Sequence, residues 1–344
     1  MHMADALISP VVGGAMWAAT AGLATYAAKK VQQDIDERKI PLMGVLGAFV
    51  FAAQMINFSI PGTGSSGHLG GGLLLAILLG PQAALLTMAS ILTIQALFFA
   101  DGGLLALGSN IFNMGFLSCF IAYSFIYKPI VGDKLSKGRL LLGSVLAAVI
   151  GLQLGAFGVV LETTFSGISE LPFSTFVLLM QPIHLAIGLV EGLVTAAVIL
   201  FVAKESPEIL SKTAKGQALG NISVKPVLVT LLIAAIITGG ALSWFASSDP
   251  DGLEWSIANV IGEDELKSPE GIHSALAELQ EKIAFLPDYN FKHDGQPAAT
   301  TEKEAPSWPA VDTGTSAAGI IGSLLTLALA FTIGKGLQRF SKQH

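Results

Sequence analysis

The stretch GHLGGGLLLAILLGPQAALLTMASILTIQALFFA, Gly67 to Ala100, carries one histidine at its head and no Asp, Glu, Lys or Arg anywhere along it. Gly80-Pro81-Gln82 divides it into a short apolar segment near 69–80 and a longer one at 82–100, which predicts a helical hairpin. An uncharged run of this length belongs in a hydrocarbon core of about 30 Å, where each crossing helix needs roughly 20 residues. Upstream, Gly62 to Gly67 (GTGSSG) is too rich in glycine for a helix, so His68 sits on an irregular loop. At membrane depth such a loop is tolerated only where protein or a cavity surrounds it.

The same signal repeats outward in both directions. Of 344 residues, 52% are hydrophobic and 13% charged, with mean hydropathy +0.66, which excludes an ordinary soluble domain. The expected fold class is an all-α polytopic membrane protein. The first apolar segment lacks a basic n-region, and its positive charges follow it, so it reads as a retained span rather than a signal peptide. The single cysteine, Cys119, lies in an apolar run and reads as a core residue.

Lys and Arg orient the spans. Lys29–Lys39, Lys128–Arg139 and Lys335–Lys342 all fall on one side, expected to be cytoplasmic, which puts the N-terminus outside and the C-terminus inside a prokaryotic plasma membrane. About seven spans fill residues 1–205, and 206–225 reads as a cytoplasmic linker. Residues 226–344 form a second unit, with two spans flanking a segment at 248–315. That segment holds 14 Asp and Glu against 4 Lys, net −10, although the whole chain is only −6. On the outer side it could concentrate cations or be a solvated ectodomain docked on the core. Nothing here points to nucleic acid.

The chain opens MHMAD, and this start carries the strongest chemical possibility. A free Met1 amine, the deprotonated His2 amide and a His2 ring nitrogen make fused chelate rings of five and six members around one ion. Bulky His2 should also block removal of Met1. His68, expected on the same side, can fill the fourth in-plane position. Square-planar nitrogen ligation favours Ni(II) or Cu(II), and divalent affinities place nickel above cobalt. Against this, His2 can be only the second residue of a frayed terminus, and the His68 loop only a turn.

Other polar residues within or beside spans are candidates because intramembrane ionisable groups cost roughly 2.5–3.5 kcal/mol on insertion scales. Asn57 and Gln95 read as interhelical hydrogen-bonding groups, and Asp101 as a site or pathway carboxylate. His184 and Glu191, seven apart, share one helix face as a buried pair or as support for metal ligands. GSSG, Gly64 to Gly67, with a distant His184 also fits the outline of a rhomboid-like serine protease, with Ser66 as nucleophile. That reading leaves His2 and the acidic unit without a role.

These stretches resemble a known family. MHMADALIS is similar to the opening of the substrate-binding components of cobalt and nickel energy-coupling-factor transporters, the CbiM/NikM family. Phe51–Ala84 and His184–Thr195 (HLAIGLVEGLVT) resemble its two most characteristic motifs. DPDGLEWS, Asp249 to Ser256, resembles the PDGLE unit of the small NikN-like accessory component, here fused. Ala6 replaces the usual glycine, Met3 and Ala4 depart from the common pattern, and Asp5 matches it. The resemblance implies a metal held by Met1, His2 and His68, with Asp5 ordering the tail. It also implies nickel as the transported ion, cobalt as the alternative, and no cofactor. The implied partners are a transmembrane coupling (T) component and cytoplasmic ATPase (A) components. The chain lacks a G-x-x-x-x-G-K-[ST] motif, so ATP hydrolysis is expected from another subunit and the chain itself is not expected to be an enzyme.

Overall fold

The apolar run after His68 does break at Gly80, into α3 (Gly72–Leu79) and α4 (Pro81–Phe98). The computed structural model describes residues 2–33, 36–133, 135–262, 266, 269–292 and 308–341. Around this hairpin stand α1 (Pro10–Gln33), α2 (Lys39–Gln54), α5 (Leu107–Val131), α6 (Lys137–Ser166) and α7 (Phe173–Glu205). Over Ile111–Tyr127, α5 is wound in the wider π form. The second unit contributes α9 (Lys225–Gly240) and α12 (Thr313–Ser341), after α8 (Pro207–Ala214) in the connector.

Six of these helices, α1, α4, α5, α6, α7 and α12, are long and apolar enough to cross a membrane, whereas α2 and α9 are shorter apolar helices of 16 residues. The short apolar segment at 69–80, counted among the seven expected spans, holds a single short helix. With 8 residues, α3 is a half-helix of about 12 Å. Gly71, at φ +77, ends the helix on that side, so the backbone before it is irregular. Every residue of α3 is buried, which is what lets that irregular backbone exist there.

Helix packing follows the small residues. Gly188 and Gly192 of α7 meet the backbone of Val149 and Val145 on α6, the close approach that small residues permit in lipid. Helix α2 is apolar on every side and correspondingly buried all round. The core covers one flank, and α9 and α12 of the second unit cover the other. Thr326 and Ala330 of α12 face Gly47, while Ser323 Oγ donates to Ala48 O at 3.2 Å. The connector is also packed rather than loose. Ile209 and Leu210 are buried, Thr213 Oγ1 donates to Leu78 O at 3.3 Å, and Arg38 donates to Ile222 O at 3.0 Å.

Within the acidic segment lie α10 (Gly252–Ile261) and α11 (Ile272–Ile283). The PDGLE motif is physically a capping box. Asp251 Oδ1 accepts from Leu253 N and Glu254 N at 2.8 and 2.9 Å, and Glu254 Oε2 accepts from Asp251 N at 3.1 Å. Helix α11 lies against α4, where Gln280 Nε2 donates to Ala96 O and Gly102 O, both at 2.8 Å.

Candidate metal centre

His68 leaves a two-stranded antiparallel hairpin, β1 (Phe58–Ile60) and β2 (Ser65–Gly67), paired Phe58 to Gly67 and Ile60 to Ser65. The hairpin is fastened from both sides. On the core side, Gly70 N and Gly71 N donate to the two carboxylate oxygens of Glu191 at 2.7 and 3.0 Å. Gly71 holds φ +77, a conformation open to glycine at little cost, and this aims its N–H at the carboxylate. On the other side, Ser66 N donates to Pro250 O at 2.8 Å and Trp255 Nε1 to Thr63 O at 3.0 Å, so the PDGLE segment docks on the strand beside His68. His68 Nδ1 lies 3.1 Å from Leu69 O. That carbonyl can only accept, so the ring proton sits on Nδ1 and the lone pair on Nε2.

The N-terminal tail reaches the same place through backbone recognition. Asn110 reads Met3 like a second peptide: Met3 N donates to Oδ1 at 2.8 Å and Nδ2 donates to Met3 O at 3.1 Å. Gly103 N adds a donor to Met3 O at 2.9 Å, and Asp5 Oδ1 accepts from Ala106 N at 2.9 Å. A Cβ on Gly103 would stand 1.8 Å from Asp5 Oδ1, so the tail seats only because that position is glycine. His273 Nε2 donates to Ile8 O at 2.9 Å and closes the tail from the second unit.

The two imidazoles meet as a stacked pair, 5.0 Å between centroids and 16° from parallel, with the His2 side chain 7% exposed. A chain of amides runs from the His2 ring to the backbone of Gly70, two residues beyond His68. His2 Nε2 donates to Gln95 Oε1 at 3.2 Å, Gln95 Nε2 donates to Gln54 Oε1 at 2.8 Å, and Gln54 Nε2 donates to Gly70 O at 2.8 Å. With its proton on Nε2, His2 turns its lone pair at Nδ1 toward Asp101 Oδ1, 3.2 Å away. Tyr289 donates to the other Asp101 oxygen.

Burial pushes both imidazoles down, to about 3, so they are neutral lone-pair donors at ordinary pH. Burial raises the Asp101 carboxyl, which suits it to hold a proton toward His2 Nδ1. Beyond the rings opens a cavity of about 820 Å³, walled by His2 and His68 and by the carboxyl groups of Asp101, Asp251, Glu254, Asp288 and Asp312.

Of the residues expected from sequence, the fold brings His2, His68, Gln95, Asp101 and Asp5 to one end of the bundle. Met1 lies outside the described residues. Glu191 and His184 do not pair with each other: Glu191 takes the two glycine N–H groups, and His184 Nδ1 takes Met180 O at 2.8 Å. Both are buried on one face of α7, and each is bonded to backbone rather than to the other. The Asn57 carbonyl accepts from Ser247 N at 2.7 Å, and the residue borders the large cavity. Ser66 Oγ donates to Asp249 O at 2.8 Å, so GSSG is a strand against the second unit rather than half of a serine–histidine dyad. Sequence reasoning missed Gln54, Tyr289 and the placement of Asp251 beside the rings. Gln54 carried a usable signal as the lone amide in an otherwise apolar helix.

Comparison with known proteins agrees with this layout. The model of CbiM, the cobalt uptake substrate-specific transmembrane region, matches residues 2–209, and the PDGLE domain matches residues 225–339. A fused nickel transport protein, NikMN of Archaeoglobus fulgidus, is 32% identical over 346 residues, spanning 97% of this chain and 98% of its own. The fused nickel transport protein NikMN of Rhodobacter capsulatus is 28% identical over 307 residues, 84% of this chain and 88% of its own. A crystal structure of a transition metal transporter superimposes with a TM-score of 0.54 at 34% identity, covering 62% of this chain and 97% of that one.

Proposed function

We propose, from the premise that the chain belongs to the CbiM family of cobalt-uptake transmembrane regions and carries a fused PDGLE domain, that it captures nickel ions for an energy-coupling-factor importer. The observation that carries the reading is the stacked pair of buried, neutral imidazoles at 5.0 Å, with hydrogen bonds that leave the lone pairs on His2 Nδ1 and His68 Nε2. His2 Nδ1 is the ring nitrogen that closes a six-membered chelate with its own amide. Met1 amine, His2 amide, His2 Nδ1 and His68 Nε2 would then complete a planar nitrogen set. Such a set favours nickel over cobalt. Fused relatives named for nickel transport support the same order. Cobalt is the alternative cargo.

In this reading the ion enters from the extracytoplasmic side through the carboxyl-lined cavity and sheds its waters to the nitrogens. Protons on the Met1 amine and the His2 amide leave as it binds, because only the deprotonated nitrogens ligate. A transmembrane coupling component and separate ATPase components drive release to the cytoplasm. The deciding experiment measures nickel bound per mole of purified protein. One residue added ahead of Met1 converts the amine to an amide and should abolish binding while every side chain survives. His2→Ala and His68→Ala should do the same. Full occupancy in the extended protein would overturn the ligand set, and full occupancy with cobalt but not nickel would reassign the cargo.

A further inference from the structure

On the side of His68 that faces α7 lies a second, much smaller cavity of about 10 Å³, walled by Gly67, His68, Gly70, Met114, His184 and Asp251. It has room for about one water-sized occupant. His184 is 1% exposed, and its Nε2 has no hydrogen-bond partner among the described residues. Its Nδ1 is committed as a donor to Met180 O at 2.8 Å, which fixes the proton there and leaves Nε2 with a bare lone pair. An unsatisfied buried nitrogen of this kind is destabilising, so its presence calls for a partner.

His68 Nδ1 is likewise tied to a backbone carbonyl, that of Leu69 at 3.1 Å, which places its ring proton on Nδ1. An imidazole whose distal N–H is held by a backbone carbonyl is the usual form of a metal-ligating histidine. Two histidines so prepared border one small cavity, together with a thioether at Met114 and a carboxylate at Asp251. Asp251 also borders the 820 Å³ cavity, so the small chamber adjoins the entry side. Oxygen ligands alone would suit a hard cation. Two imidazoles with a thioether suit a borderline transition ion.

We propose that this chamber is a second, transient site for a divalent transition-metal ion, in which His184 Nε2 and His68 Nε2 hold the ion after it leaves the His2 nitrogens. His68 is then the shared ligand that passes the ion from one site to the other. The inference rests on the nickel-capture reading above, and its test is arranged to fail separately. The protein used is the full chain carrying both the N-terminal extension and His2→Ala, which cannot form the planar set. Titrated with Ni²⁺, it should retain one weak site, at least 100-fold weaker than in the native protein. With Cu²⁺ as probe, electron paramagnetic resonance should show coupling to two imidazole nitrogens.

Adding His184→Phe, which fills the same space without a nitrogen, should remove that residual site. His184→Gln, which keeps a polar side chain, should remove it as well and guards against a folding defect in the first variant. In the otherwise native chain, His184→Phe should slow release of bound nickel to a chelator at least tenfold. A residual site indifferent to both substitutions, or no residual site at all, overturns the inference while leaving the capture reading intact. Failure of the native protein to bind nickel would instead remove the capture reading.

Discussion

The candidate centre has two walls built on different principles. The core wall, from α2, α4, α5 and α7, spends its polar groups on backbone and on one another: Gln54 on Gly70, Gln95 on Gln54, Asn110 on Met3, Glu191 on two glycines. The wall from the second unit presents Asp251, Glu254, Asp288 and Asp312 to a cavity. The first arrangement fixes where ligands stand and leaves little adjustable. The second sets the charge an arriving cation meets. Changes to the core wall should therefore act on affinity, and changes to the second wall on the docking of that unit and on access.

The largest effect expected from the core wall, after the N-terminal extension, is that of Asn110→Leu. It strips Met3 of two partners in a buried setting and should lower nickel affinity by about 100-fold or more, read by calorimetry on purified protein. A wild-type affinity would show that the tail is seated by Asp5 and Gly103 alone. Glu191→Gln comes next. An amide offers one acceptor and turns an NH₂ toward the second glycine N–H, so affinity should drop by about 10- to 100-fold, the range typical when support for a metal ligand is lost. Retained affinity would mean the hairpin is held chiefly by the PDGLE segment.

Across the second wall, Ser66→Ala removes one hydroxyl bond but keeps Ser66 N on Pro250 O. Nickel affinity should change by less than about fivefold, consistent with one ordinary hydrogen bond. Loss of all binding would reverse the ranking of the two walls. The gentlest test is acid. Both imidazoles sit at about 3 in the folded protein against 6.5 when free. Between these values the undocked chain binds protons that the folded chain refuses, so stability is fully present above about 6.5 and declines as pH falls toward 3. Melting temperature in detergent should decrease gradually across that window, and His68→Gln should flatten the decline.

Helix positions were legible from sequence because long uncharged runs have few alternatives in lipid, and Gly80-Pro81 marked a real turn. The segment at 69–80 read as short, but its helical start at Gly72 was not legible, since hydropathy registers apolarity and not which glycines leave the helix. At the site, His2 and His68 were visible through chemistry that few residue pairs offer. Gln54 was passed over, because amides inside spans serve as glue as often as support. Asp251 was hidden in a different way. Its D-x-x-E spacing explains a helix cap completely, and only the docking of the second unit sets the capping carboxylate beside the rings.

The half-helix α3 bears on the electrical work of transport. In the proposed orientation, a divalent ion held just before Gly72 has about 12 Å of helix between it and the Gly80 turn, less than half of a 30 Å hydrocarbon core. Membrane potential contributes about 2.3 kcal/mol per unit charge per 100 mV over the full thickness. Filled with water, the 820 Å³ cavity above the site would carry little of that drop and would leave the field across the short remaining distance. The voltage sensitivity of uptake should therefore reside in the inward release step, and the capture step should be nearly indifferent to potential.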